Sequence, residues 1–177
     1  MDDLELIELW PTLILSQPLP RHEAHTERLA ALAREHAGEG VFAVADASVD
    51  WLKTHVAHGV NAYLARCAIG SGAEWGARGW FEVLGFGDYR GLRERPEAAL
   101  CGMYVLRGAD DADVAGRRDD LRPGALTFFD PRPAMNKNAI NGDPYQRYHE
   151  TLRPVAGLLL IWPGHVRCFA HPNLGRD

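Results

Sequence analysis

The apolar pattern of this chain changes once, and that change constrains the fold more than any single residue. From residue 21 to residue 69 the apolar side chains recur at helical spacing. After the glycine-rich stretch 70–79 they come in short runs separated by turn residues. In the first part, residues 21–37 put Leu29, Leu32, Ala33 and His36 on one helical face, and Gly38 and Gly40 stop the helix. Residues 48–68 put Leu52, Val56, Val60, Tyr63, Leu64 and Cys67 in one stripe, with Asp46 or Ser48 as cap. Ahead of both, residues 3–17 read as two short strands broken at Pro11 and closed by Pro18 and Pro20. In the second part the expected strands are 79–86, 99–106, 124–130, 155–162 and 165–171. Helices first and antiparallel strands afterwards predict an α+β chain whose core is a β-sandwich or jelly roll.

At 177 residues, one domain spanning 1–177 is expected, long enough to bury a real core. Two loops interrupt the strands. Residues 107–123 are charged and solvated, and 131–150 (PRPAMNKNAINGDPYQRYHE) are rich in Asn, Pro and aromatic residues. A loop of the second kind at the mouth of a barrel commonly shapes a ligand site. The net charge of -5 gives no reason to expect nucleic acid or an anionic membrane as partner. No apolar run reaches membrane-spanning length, and the acidic opening MDDLELIELWP has too short an apolar run for a secretory signal. Cys67, Cys101 and Cys168 are odd in number and widely spaced, as in a reducing, cytoplasmic setting.

Five segments, in order, resemble one small family of Fe(II)/2-oxoglutarate oxygenases. LWPTLILSQPLP is similar to that family's L-F-P-T-P-I opening, and Trp80 to Tyr89 to its W-x-N-V-x-x-x-G-D-Y strand, with Glu82 in place of the asparagine. CGMYVL resembles S-G-V-Y-Y-V, and GALTFFDPRP resembles G-x-L-x-F-x-D-P-R-P most closely of all. GLLLIWPGHVRCFAHPN resembles G-x-L-x-x-F-P-S-W-L-x-H-x-V-x-P-N. The resemblance implies a double-stranded β-helix, a cupin-like jelly roll, with the two N-terminal helices packed on one sheet. The family reads GDYNxPHxHP where this chain reads GDYRGLRERP, so its two iron-binding histidines fall at Arg93 and Arg95. Its third falls at Cys168. Guanidinium has no lone pair to offer a metal, and one thiolate beside two arginines is not a three-ligand facial site. The family's last strand grips 2-oxoglutarate with an arginine. Arg176 is the residue offered here, at short spacing after Cys168. No metal and no cofactor are therefore expected.

On a strand, residues i and i+2 share a face, so Arg93 and Arg95 would point into the old metal cup with Cys168 across from them. Two guanidinium groups there repel unless an anion lies between them, which makes a carboxylate- or phosphate-binding floor. Alternatively the cup has collapsed, and the arginines turn to solvent or pair with Asp88, Glu94 or Glu97. Cys168 beside positive charge would be a thiolate nucleophile, or it is a small apolar filler in place of a lost imidazole. Tyr89, Tyr104 and Trp162 would line the barrel as stacking or hydrogen-bonding groups, or as core. His149, in the 131–150 loop, is an acid/base candidate able to swing over the pocket. Arg132 of the DPR segment is the next candidate anion site.

The remaining histidines read more plainly. His22 and His25 lack the i, i+4 spacing of a zinc-protease helix and read as a solvated helix edge. His55 and His58 read as the polar flank of the second helix. His165, Cys168 and His171 alternate faces on a strand and do not converge on one metal. Three functions follow. The first is a redox-inactive oxygenase relative that binds a small anionic organic molecule and catalyses a non-oxidative biosynthetic tailoring step, such as cyclisation, isomerisation or elimination. The second is a non-catalytic interaction subunit with a protein partner, favoured by a large exposed apolar patch. The third is a metal oxygenase with a ligand set rebuilt from Cys168, His165, His171 or Asp88.

Overall fold

The computed structural model describes residues 12–36, 38, 40–69, 73–108, 123–132, 140, 142–143 and 147–175. They form two helices and two antiparallel sheets, an α+β architecture. The elements run β1 (Leu15–Pro18), α1 (Glu23–Glu35), a 3-10 turn (Val41–Ala43), α2 (Ala47–Arg66), β2 (Arg90–Arg93), β3 (Leu100–Tyr104), β4 (Leu126–Phe129), β5 (His149–Leu152), β6 (Leu158–Pro163) and β7 (Arg167–Ala170). One sheet has the order β1-β6-β3 and the other β2-β7-β4-β5. The chain passes between the sheets from β1 to β2 (by way of the helices), β2 to β3, β3 to β4, β5 to β6 and β6 to β7.

β6 (LLLIWP) has apolar side chains on both faces because both faces are covered. Leu158, Leu160 and Trp162 meet Leu126, Phe128, Cys168 and Ala170 of the opposite sheet, with Phe128 edge-on to Trp162 at 5.1 Å between ring centroids. Leu159 and Ile161 face the other way, against Leu52, Val56, Val60 and Tyr63 of α2. The helices thus pack on the three-stranded sheet. Gly59 makes this close approach possible, since a Cβ there would lie 3.0 Å from Ile161 Cδ1. Asp46 caps α2 by accepting the Ser48 N–H at 2.8 Å. Leu29, Leu32 and Ala33 of α1 form a second cluster with Val41, Val49 and Phe81.

Three expectations are corrected. Residues 79–86 form no strand; their one ladder contact is a bridge between Trp80 and Gly40, and Phe81 leaves for the helical cluster. The 131–150 loop ends in a strand, since β5 begins at His149 and pairs with β4. Cys67 lies outside the stripe of α2, exposed beyond the helix end at Arg66. Residues 1–11, with the strand expected before Pro11, lie outside the described residues, as does Arg176.

Candidate functional site at the rim of the sandwich

β2 and β3 are edge strands of opposite sheets, joined by residues 94–99, so the sandwich has an open rim between them. The joining segment is held on the β6–β7 corner: Arg95 N–H donates to Gly164 O at 2.8 Å and Gly164 N–H to Ala99 O at 3.1 Å. A Cβ on Gly164 would collide with the carbonyl oxygens of Ala98 and Arg95, so only glycine fits that corner.

The ladder of β2 against β7 is irregular. Arg90 pairs with Ala170 and Arg93 with Cys168, with a bulge between. Both partners face the inter-sheet core, and cross-strand partners share a face. The bulge therefore puts Arg90 and Arg93, three residues apart, on the same inner side. Glu82 lies between them. Its Oε1 is ion-paired with Arg90 Nε, and its Oε2 is 3.5 Å from Arg93 Nη2. The Glu82 side chain is 27% exposed. Arg95 lies beyond the strand end, its guanidinium 5.1 Å from the centroid of the Trp80 ring and 3.7 Å from Glu97 Oε1. A cation over an indole face is favourable by about 0.5–1 kcal/mol at an exposed site.

Cys168 lies beneath this rim, buried among Phe128, Trp162 and Val166. Arg93 lowers its pKa, but burial dominates and pushes it up to about 11. At neutral pH the thiol is therefore protonated. Burial also raises Cys101, against the opposing charges of Arg95 and Arg93. The thiols are apolar filling here, and charge from the arginines does not activate them. Two guanidinium groups without lone pairs and a neutral thiol are also no donor set for a divalent cation.

The other expected site residues are dispersed. Trp162 is core, buried against Phe128. Tyr104 is on the helix-facing side of β3, edge-on to Trp51 at 5.9 Å, where burial holds its hydroxyl above the usual pKa. Tyr89 is on the outer side of the four-stranded sheet, 6.1 Å from the Phe169 ring. His149, opposite Phe129 in the β4–β5 ladder, is exposed and packs beside Tyr148. None of these three lines the space between the sheets. Tyr104 alternates with the inward Met103 on β3, Tyr89 precedes β2 beside the inward Arg90, and His149 lies opposite the outward Phe129. Arg132 forms a fork with Asp130, Nε to Oδ1 at 3.0 Å and Nη2 to Oδ2 at 2.6 Å, which holds the Asp130 carboxyl below the ordinary range.

The four residues of a rebuilt ligand set do not gather. His165 is exposed, Cys168 faces inward, and His171 faces outward with Nε2 2.8 Å from Thr127 Oγ1. Asp88 closes a turn by accepting the Gly85 N–H. His22 and His25 are not a solvated edge. The His25 ring stacks on Trp51 at 4.3 Å, and its Nδ1 is 3.1 Å from Ser48 Oγ. Sequence reasoning missed Glu82, Arg90 and Trp80 as parts of the rim. The substitution of glutamate where the resembled motif has asparagine was the available signal.

No protein-family model and no curated protein sequence matches this chain.

Proposed function

We propose that this chain is a redox-inactive relative of the Fe(II)/2-oxoglutarate oxygenases, a reduced jelly roll that binds a small anionic organic molecule at its arginine rim. The observation that carries the reading is Glu82, a carboxylate held between Arg90 and Arg93. The rim is an anion site in which one of the chain's own side chains takes the anion's place. Glu82 and both arginines are part-exposed, and such pairs are worth about 0–1 kcal/mol. A ligand carboxylate or phosphate with contacts of its own can displace it. The passage of the chain between the two sheets at every strand connection except β4 to β5 supports the jelly-roll reading. Bound ligand would be positioned by fixed guanidinium groups, the arrangement a non-oxidative tailoring step requires.

The test is a thermal-shift screen of wild type and the Arg93→Ala/Arg95→Ala double variant against small carboxylates and phosphates. Charge-assisted hydrogen bonds of about 1.5–3 kcal/mol each predict affinity lower by roughly tenfold to a hundredfold for each arginine removed. An undiminished shift in the double variant would place the anion site elsewhere. Near-equimolar iron by plasma emission, with 2-oxoglutarate turnover, would overturn the redox-inactive assignment.

A second reading, an interaction subunit of a partner enzyme, is favoured by the apolar side chains along the β2 edge. Val83, Phe86, Tyr89 and Leu92 are all at least half exposed, Phe86 at 64%. Sedimentation of the purified chain with and without candidate enzymes would separate the two. A stable complex formed by a variant carrying Phe86→Ser and Leu92→Ser would count against this second reading.

A further inference from the structure

A groove of about 400 Å³ opens beside the rim, lined by Phe42, Arg78, Gly79 and Trp80 with the backbone of Gly38 and Gly40. Its volume is within the range of small-molecule sites, which span about 300–1,000 Å³. Trp80 joins it to the rim: the ring that lies beneath the Arg95 guanidinium also forms one wall of the groove, and it is 49% exposed. An indole so exposed retains much of its apolar surface in water, and a ligand ring stacked on it would cover that surface.

The walls are held by backbone. Val41 N–H donates to Gly79 O at 3.0 Å, and Gly40 bridges Trp80. Gly79 is packed so closely that a Cβ would lie 2.9 Å from Val41 Cγ1 and 3.0 Å from Phe42 Cε2. Glycine at 79 thus fixes the distance between the Phe42 and Trp80 walls. Arg78 supplies the charge. Among the described residues no carboxylate pairs with it, whereas Arg90, Arg93 and Arg95 each have one.

We infer that the groove takes the aromatic ring of an aryl acid, a planar ring carrying one carboxylate or phosphate, with Trp80 stacking on the ring and Arg78 meeting the anion. The groove carries its own cation, so the inference goes beyond the anion-binding reading above and stands or falls separately from it. Aliphatic acids would satisfy the guanidinium groups and leave the aromatic walls exposed. The aryl ring accounts for both features, since stacking on an aromatic side chain is favourable beyond the area it buries.

The test uses phenylacetate and phenyl phosphate against acetate and inorganic phosphate, with calorimetry for affinity and tryptophan fluorescence for location. Phenylacetate should bind at least about tenfold tighter than acetate, a difference of roughly 1.4 kcal/mol. Trp80→Ala should erase that preference, and Arg78→Gln should weaken phenylacetate about tenfold. Gly79→Ala, which moves Phe42, should reduce the preference while far-ultraviolet circular dichroism stays unchanged. Trp75→Phe, at another exposed tryptophan, should leave binding as it was. Equal affinity for acetate and phenylacetate, both sensitive to Arg93→Ala, would overturn the aryl inference and leave the rim reading standing. Phenylacetate binding lost in Trp80→Ala but untouched by Arg93→Ala/Arg95→Ala would support the groove and overturn the rim. A preference for phenylacetate that survives both Trp80→Ala and Arg78→Gln would overturn the inference, as would no binding of any probe at about 10 mM.

Discussion

β6 carries apolar side chains on both faces and lies in the middle of its sheet, whereas β2 carries arginines on its inner side and lies at the edge of the other. β6 is fixed by the volumes on either side of it: Phe128 and Cys168 across the sandwich, Leu52 and Tyr63 from α2. β2 has one neighbour, a bulged ladder, and ion pairs to a carboxylate from a segment with no regular structure. Packing of the first kind is expensive to disturb and leaves no room for a ligand. Charge pairing of the second kind is cheap to exchange. The difference teaches where a two-sheet fold of this kind has room to exchange partners. The closed interior holds the fold, and the rim is free to change its partners.

The largest expected effect is on the β6 side. Phe128→Ala removes the ring packed edge-on to Trp162 and should cost about 3–5 kcal/mol in denaturant unfolding. A cost below about 1 kcal/mol would mean that the space between the sheets is loosely filled and still able to admit a ligand. Next, Cys168→Ser puts a hydroxyl where the thiol is buried under β2, and should cost about 1–3 kcal/mol. A neutral result would show water or polar partners at that position, and the contrast between interior and rim would blur there.

The rim should respond far less. Glu82→Gln removes the carboxylate shared by Arg90 and Arg93, and unfolding should change by under about 1 kcal/mol, less in high salt. The same variant should bind phosphate more tightly than wild type, because two guanidinium groups lose their internal partner. Weaker phosphate binding in Glu82→Gln would place the anion away from these arginines. The smallest expected effect involves no change of stability. At pH 8, iodoacetamide should label the exposed Cys67 and leave Cys168 unmodified until the protein is unfolded. A thiol pushed up to about 11 is almost wholly protonated there, and its labelling should rise only as pH approaches that value. Rapid labelling of Cys168 by mass spectrometry at pH 8 would show a thiolate after all.

Much of the fold was legible because it rests on local pattern. The α2 boundary at Asp46 follows from a capping side chain within two residues of the N–H it accepts. The helix stripe at Leu52, Val56, Val60 and Tyr63 follows from 3.6-residue spacing, and it is the surface that meets β6. The segment 79–86 was misread because its apolar residues do fit a strand, while their partners lie elsewhere: Phe81 is in the helical cluster and Trp80 beneath Arg95. The site was only partly legible. Arg93 and Cys168 are ladder partners, whereas Arg95, expected on the same strand face, lies beyond the strand end. Tyr104, Tyr89 and His149 are not with them, since a shift of one residue on a strand moves a side chain to the other face.

The sequence by itself determined the segregation of helices from strands, the doubly apolar β6, the positive charges of the β2 segment and the absence of lone-pair donors at positions 93 and 95. Each of these is a property of residue type or short-range spacing, and none needs a distant partner to be defined. Only the tertiary structure decided that Glu82 pairs with both Arg90 and Arg93, that burial outweighs nearby charge at Cys168, and that Trp80 and Phe42 face a common groove. Those outcomes depend on distances between residues far apart in the chain. The strength of an ion pair, the direction of a pKa shift and the width of a groove all change steeply with such distances.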